Sequence, residues 1–183
     1  MIDIVRTVAN VDDAPELHLA RLLILLNAFS TDREPGSIQG ITKLAKLDFL
    51  LRYPILLQRA LQAKGQSVAN VKLEDHEKMS VEATMVRYRF GPWDHRYREY
   101  LNIMSAKQLV NVTIEGRTTI IALTSVGQAQ AKKLGAVSNF EAYVRRTKLL
   151  KANFDMTATN LMRFIYNTFP EIISLKKNAP IIP

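Results

Sequence analysis

The chain has 183 residues and a formal net charge of +8; 48% of its residues are hydrophobic and 23% are charged. This balance is typical of a globular protein with one domain, or with one domain and a helical extension. Because the sequence has no cysteine, it excludes disulfides, cysteine-ligated zinc sites and thiol nucleophiles. It has no apolar run of about eighteen residues and no basic signal-peptide start, so we expect a cytoplasmic protein without a membrane partner.

The positive charge is unevenly distributed along the chain. Residues 1–50 hold 5 Lys or Arg against 7 Asp or Glu, whereas residues 51–183 hold 20 against 10. A basic balance of this kind favours a phosphate backbone or an acidic protein as partner.

The first strong pattern is a helix from Pro15 to about Ser30, whose middle is apolar on nearly every side. Such a helix is either the central core helix, which we favour, or part of a subunit interface in a homodimer. His18 has no second ligand at helical spacing, so we expect it at the surface or in a capping role. Residues 1–14 fit either a strand or a loose arm.

The polar stretch Thr31–Gly40 contains Pro and Gly and is predicted to be a loop. A second helix follows from Ile41 and stops before Pro54, which begins a further short helix ending at Gly65. We expect the basic residues of the second helix to lie outside its apolar stripe: Lys43, Lys46 and Arg52.

Asp48 falls within the apolar part of the second helix. A carboxylate there needs a partner such as Lys43, Arg52 or a backbone group. We therefore interpret Asp48 as structural.

Residues 65–80 are polar and indicate an exposed connection. Glu74, Asp75, His76 and Glu77 crowd together in this connection, but consecutive residues on one loop rarely converge on one ion. We predict no metal site and no cofactor.

The segment from Met85 to Lys133 has the order of a winged helix. It contains an extended lead-in, a Gly91-Pro92 corner that predicts a helix from Pro92 to about Lys107, a hairpin turning at Glu115-Gly116, and a helix capped by Thr124. The predicted fold is mainly α with a small antiparallel β wing: a winged helix-turn-helix with additional C-terminal helices. We place the domain boundary after residue 134, with residues 1–134 as the winged-helix domain and residues 135–183 as a helical extension and tail.

Helical spacing divides the helix after the Gly-Pro corner into two faces. The apolar arc holds Trp93, Tyr97, Tyr100, Leu101 and Met104, whereas His95, Arg98, Asn102 and Ser105 fall on the far side. If Trp93 is buried, its replacement by alanine should cost about 3 to 5 kcal/mol.

A recognition helix followed by a wing with Arg117 at its tip is a layout for binding double-stranded DNA. Many winged helices instead serve only in dimerisation or docking, and the sequence leaves both roles open. The candidate DNA contacts of this segment are Arg96, Arg98, Asn102 and Arg117.

The C-terminal part predicts two more helices, one from Ser138 and one from Thr157 that stops at Pro170. The first has an apolar stripe with basic residues beside it, which form either a solvated face or a second phosphate-contacting patch: Arg145, Arg146 and Lys148. The apolar tail after Pro170 either packs on the body or binds a partner.

We predict no enzyme activity. No serine lies in a nucleophile-elbow pattern, and the sequence has no phosphate-binding loop or dinucleotide fingerprint. Asp94 with His95 could form an acid/base pair, but an acid at a helix start is better explained as a cap or a charge against the helix dipole.

Two segments carry a resemblance to a known family: GITKLAKLDFLLRYP at residues 40–54, and MVRYRFGPWDHRYREYL at residues 85–101, followed by the hairpin and LTSVGQAQAKKL. They resemble the small winged-helix middle components of bacterial three-component ABC-ATPase defence systems, the Lamassu type among them. The resemblance covers roughly residues 17–134. The layout is also similar to a family of phage-associated antitoxin and chaperone-like proteins.

The resemblance to middle components implies a non-catalytic accessory subunit. Such a subunit would bind an SMC-like ABC ATPase and a nuclease-type effector, help the complex engage DNA, and restrain the effector. The alternative is a stand-alone winged-helix transcriptional regulator, or an antitoxin-like protein.

Overall fold

The computed structural model describes residues 14–31, 35–74, 77, 84–89 and 91–182. This part of the chain is mainly helical with small antiparallel sheets, as the sequence predicts. The helices are α1 (Pro15–Ala28), α2 (Ile41–Arg52), α3 (Pro54–Ala63), α4 (Tyr97–Ala106), α5 (Ser125–Gly135), α6 (Glu141–Phe154), α7 (Ala158–Thr168) and α8 (Pro170–Ser174). The strands are β1 (Ser37–Gln39), β2 (Val86–Tyr88), β3 (Gly91–Trp93), β4 (Val110–Glu115) and β5 (Thr118–Leu123).

Helix α1 lies at the centre of the core, as its all-round apolar middle predicts. Every residue from Ala20 to Leu26 is buried, and the helix packs against α5 and α6. Helix α2 lies beside α6 and α7, and its apolar residues join the same core. The C-terminal helices therefore pack on the N-terminal ones, while the division at residue 134 stays a prediction.

The main sheet has three strands in the order β1-β5-β4, all antiparallel. The hairpin of β4 and β5 confirms the predicted one, and the Thr124 side chain caps α5 by accepting a hydrogen bond from the Gly127 amide at 2.9 Å. The loop prediction for Thr31–Gly40 is wrong at β1. A strand of three residues is too short for its own pattern to be seen, and it forms because its central residue, Ile38, is fully buried opposite Ile121.

A second, two-stranded sheet pairs β2 with β3. The C-terminal tail adds to the free edge of β2, where the Ile181 amide donates to the Met85 carbonyl at 2.8 Å. The Tyr53 hydroxyl donates to the Ile181 carbonyl at 3.1 Å, and Ile181 itself is buried. Of the two fates predicted for the tail, the structure shows packing on the body.

The helix predicted to start at Pro92 starts instead at Tyr97, so this prediction is wrong by about one turn. Gly91, at φ +105°, is the first residue of strand β3. Pro92 is tolerated in this strand because β3 is an edge strand, in which an amide hydrogen that faces away from β2 has no strand to pair with. The turn between β3 and the helix is closed by Asp94, whose carboxylate accepts a hydrogen bond from the Arg96 amide at 2.9 Å. As a strand residue, Trp93 is only partly buried, so the condition for the large Trp93→Ala cost is not fully met.

The remaining terminal elements follow the sequence closely. The helix predicted from Ser138 begins with a 3₁₀ turn, Ser138–Phe140, before α6. Thr157 caps α7, and Pro170 ends that helix but also opens the short helix α8. The arm or strand predicted for residues 1–14 lies, apart from Ala14, outside the described residues.

Candidate functional site

The outward face of α4 is the first candidate site. Its inner residues are buried as predicted: Tyr97, Tyr100, Leu101 and Met104. Its outer residues Arg98, Asn102 and Ser105 are exposed, and so is His95 just before the helix. The side chains proposed to contact a partner are therefore accessible along one face. Glu99 is also exposed there, so the face carries both signs of charge.

A buried ion network fixes α4 against α1 and α2. Asp48 is fully buried and accepts hydrogen bonds from Arg21 Nε at 2.7 Å, Arg52 Nε at 2.9 Å and the Tyr97 hydroxyl at 2.7 Å. Burial opposes ionisation of this carboxyl, but the charges of Arg21 and Arg52 outweigh it and hold the pKa of Asp48 below its usual range. The structural role predicted for Asp48 is thus confirmed, with Arg52 as one of its partners.

The same network corrects the predicted position of Arg52. Its guanidinium lies inside the protein, 3% exposed, because it also donates to Asp94 at 2.9 Å. Arg96 donates to Asp94 from the solvent side at 3.1 Å. Burial would raise the pKa of Asp94, yet hydrogen bonds from Arg96 and the charge of Arg52 lower it to about 2. Asp94 is therefore a charge partner of Arg52 and Arg96. It is not the helix cap that the sequence offered as one explanation, because the N-cap residue of α4 is Arg96, which has no side-chain capping hydrogen bond.

His18 is buried, so its predicted surface position is wrong. Its ring lies 5.4 Å from the ring of Tyr100, between centroids. Burial and the neighbouring Arg21 lower the pKa of His18 to about 4, which keeps the ring neutral at physiological pH.

The hairpin presents Arg117 in the exposed turn after Gly116. Below the turn, Val110, Val112 and Ile114 share one face of β4. Val110 is buried, whereas Val112 is 39% exposed and Ile114 is 76% exposed. The apolar face of the hairpin thus begins in the core and continues into solvent.

The residues of the second predicted patch, on α6, differ in exposure. Lys148 is exposed, and Arg145 is partly exposed and paired with Glu141 at 3.1 Å. Arg146 is 2% exposed and donates to Glu77 at 2.6 Å and to the Val71 carbonyl at 3.1 Å, so its predicted place beside the buried stripe is wrong. Its side chain anchors the connection after α3 to α6 instead of facing solvent.

The predicted contacts differ in how far their side chains reach solvent. Arg98, Asn102 and Arg117 are exposed, Arg96 is engaged by Asp94, and the C-terminal patch lacks its central member. The sequence analysis missed Arg21 as a partner of Asp48. An arginine among leucines and an aspartate in an apolar stripe each need a buried partner of opposite charge, so the two residues could have been paired from sequence.

Neither a metal centre nor a membrane span appears in the described part of the chain. No group of three or more His, Asp or Glu side chains there could hold a metal ion. Asp75 and His76 of the acidic cluster lie outside the described residues. No described helix has the length and apolar character needed to cross a bilayer.

A family model for the ABC-three component (ABC-3C) system Middle Component 4 matches residues 30–161. The chain belongs to this family. The match in this Middle Component 4 protein begins just after α1 and ends within α7, and so includes α2, α4, the hairpin and α6. No curated protein and no solved structure matches the chain.

Proposed function

We propose that this Middle Component 4 protein is a non-catalytic scaffold that joins an SMC-like ABC ATPase to a nuclease-type effector. The complex would be an antiphage defence system of the Lamassu type acting in the cytoplasm, and the scaffold would restrain the effector until DNA is engaged. The family match over residues 30–161 carries the proposal, because a middle component is by name one part of a system of several.

The topology supports a winged helix as the scaffold. The order α1, β1, α2, α4, β4, β5, with β1 paired to β5, supports a winged helix into which α3 and the β2–β3 pair are inserted. In this arrangement α4 is the recognition helix and the β4–β5 hairpin is the wing.

The apolar face of the hairpin is the contact that we assign to the ATPase. Val112 and Ile114 extend the core face beyond the body, and exposed apolar residues next to one another mark interaction sites. Strand β4 is also the edge of its sheet, so its outer backbone groups are available for pairing.

We expect Ile114→Asp to abolish co-purification of the chain with the proposed ATPase and effector partners. A carboxylate placed in a desolvated apolar contact costs several kcal/mol unless it is paired. The measurement is an affinity pull-down from co-expressed proteins, with melting temperature as the check on folding.

Thr113→Asp is the matched control, because Thr113 is the preceding residue on the same strand, is exposed and points to the opposite face. It should leave the complex intact. Equal recovery of the complex with both variants would remove the hairpin from the proposal. A wild-type chain that purifies alone would refute the scaffold role itself.

Engagement of double-stranded DNA is the second part of the proposal. It rests on Arg98, Asn102 and Arg117, which remain exposed on the recognition helix and the wing tip, with Arg145 and Lys148 as accessory cations. Such a scaffold should bind DNA weakly, without sequence preference and with steep salt dependence.

The double variant Arg98→Glu with Arg117→Glu should weaken binding to a mixed-sequence duplex at least about tenfold and reduce the slope of log K against log salt by about 2. Fluorescence anisotropy across a salt series measures both. Lys132→Glu with Lys133→Glu, two exposed lysines at the end of α5, matches the change in net charge and should have a smaller effect. An unchanged slope in the first variant would exclude this face as the DNA contact.

The same titration tests the stand-alone regulator. The exposed helix face and the wing are compatible with operator binding, and a regulator would show sequence-dependent affinity of roughly 10 nM or tighter at physiological salt. That result would replace the scaffold hypothesis.

A further inference from the structure

A small pocket lies between α2, the β2–β3 pair and the start of α4. Its volume is about 180 Å³, and its walls are formed by Thr42, Lys46, Tyr88, Gly91, Pro92, Trp93 and Arg98. Pockets for drug-sized ligands usually measure about 300 to 1,000 Å³. This pocket is therefore sized for a single side chain or a molecule of a few carbon atoms.

Lys46 is the unusual residue of the pocket. The sequence pattern predicts it outside the apolar stripe of α2, but it is 2% exposed. Its ammonium donates one hydrogen bond, to the Thr42 carbonyl at 3.2 Å, and no carboxylate among the described residues pairs with it. Burial lowers the pKa of Lys46 to about 8, so the charged form still dominates at neutral pH. A buried cation without an anion is costly, which indicates that a partner from outside completes it.

The other walls define the chemistry of that partner. Arg98 adds a second positive charge to the lining. The Tyr88 and Trp93 rings stack with centroids 6.0 Å apart, and the Lys177 ammonium lies 5.3 Å from the Tyr88 ring. None of the lining residues that the structure describes is acidic.

We propose that this pocket binds a carboxylate carried on a short aliphatic chain. The Lys46 ammonium has two hydrogens left for the two carboxylate oxygens. Arg98 lines the same pocket, and its positive charge also attracts the carboxylate. The aliphatic part packs on Trp93 and Pro92. A phosphate dianion is disfavoured, because it has no aliphatic part to pack on Trp93 and Pro92.

The glutamate side chain of another protein and a free short-chain acid share this chemistry. Carboxylate binding requires neither the scaffold role nor DNA, because the pocket lies within the isolated chain.

The test uses Trp93 as a reporter, because it is the only tryptophan in the sequence and forms a wall of the pocket. At constant ionic strength and neutral pH, propionate should change the Trp93 emission with half-saturation on the order of 1 mM. Propionamide, the uncharged analogue, should give no saturable change, and inorganic phosphate should bind at least about tenfold more weakly than propionate.

N-acetylglutamate α-amide distinguishes the two sources, since it ends in the same group but carries peptide bonds. Binding comparable to that of propionate would assign the site to a protein side chain, and propionate binding alone would assign it to a free acid.

Lys46→Met keeps the length of the side chain without its charge and should weaken binding at least tenfold. Arg98→Gln, at an exposed position, should weaken binding severalfold without affecting folding.

Arg117→Gln, on the hairpin, is the matched control for loss of one exposed charge and should bind propionate like the wild type. Absence of saturable propionate binding by the wild-type chain would overturn the proposal. Retained affinity in folded Lys46→Met would do the same.

Discussion

Replacing Asp48 by alanine should lower the free energy of unfolding by about 3 to 5 kcal/mol, the usual cost of removing one partner from a buried ion pair. Asp48 has no exposed side-chain area and accepts hydrogen bonds from Arg21, Arg52 and Tyr97. Without the carboxylate, two guanidinium groups face each other in the core with less compensating charge. For a chain of this length the melting temperature should fall by roughly 10 °C or more, measured by urea and thermal denaturation.

Asp155→Ala is the matched control for this prediction. Asp155 also accepts hydrogen bonds from two cations, Lys43 at 3.0 Å and Lys151 at 2.5 Å, but 37% of its side chain is exposed. An ion pair in contact with water contributes little, so this variant should lose less than about 1 kcal/mol. If the two variants lose similar amounts, the buried network does not have the role assigned to it.

The network matters for function because it determines which side of α4 faces solvent. Tyr97 is on α4, Asp48 and Arg52 are on α2, and Arg21 is on α1, so one carboxylate connects three helices. We therefore expect Asp48→Ala to disturb the exposed face around Arg98 even where the chain stays folded.

Gly127→Ala should also destabilise the protein, by about 1 to 3 kcal/mol, the usual cost of overpacking a core. In an ordinary helix the same change stabilises by about 1 kcal/mol. Here a Cβ atom on Gly127 would lie 1.9 Å from the Leu109 carbonyl oxygen, and a backbone atom cannot rotate away. The variant should lower the melting temperature, as measured by circular dichroism.

Gln130→Ala, at an exposed position of α5, is the control and should be neutral or slightly stabilising. Leu109 immediately precedes β4, so the clash at Gly127 should also shift the base of the hairpin. A stabilised Gly127→Ala variant would show that α5 and the hairpin are not packed as described.

The sequence predicted the elements with strong local signals and missed those that depend on pairing. The apolar middle of α1, the Thr124 and Thr157 caps and the β4–β5 hairpin each have a signal within a few residues. Strand β1 has three residues, and β3 contains a proline that looks like a helix start. Both exist because a partner strand is present, and a local pattern cannot show that.

The exposure of the candidate site residues was predicted only in part, for a similar reason, while their role in binding stays a prediction. The outward position of Arg98 and Asn102 follows from helical spacing, and the structure agrees. Helical spacing also places Arg146 and Lys46 outside the apolar stripes of their helices, yet both are buried. The long side chains of lysine and arginine let the charged group lie far from the backbone. The helix face on which the residue lies therefore does not by itself determine whether that charged group is buried or exposed.

The amino-acid sequence by itself determined the mainly helical class, the limits of most helices and the amphipathic character of α4, because these depend on side-chain periodicity and on capping within one turn. Only the tertiary structure decided which charges are paired in the core, that the tail completes the edge of β2, and that Lys46 faces a pocket whose described lining residues include no acid. Those features depend on contacts between residues far apart in the chain, whose energies appear only once the helices and strands have packed together.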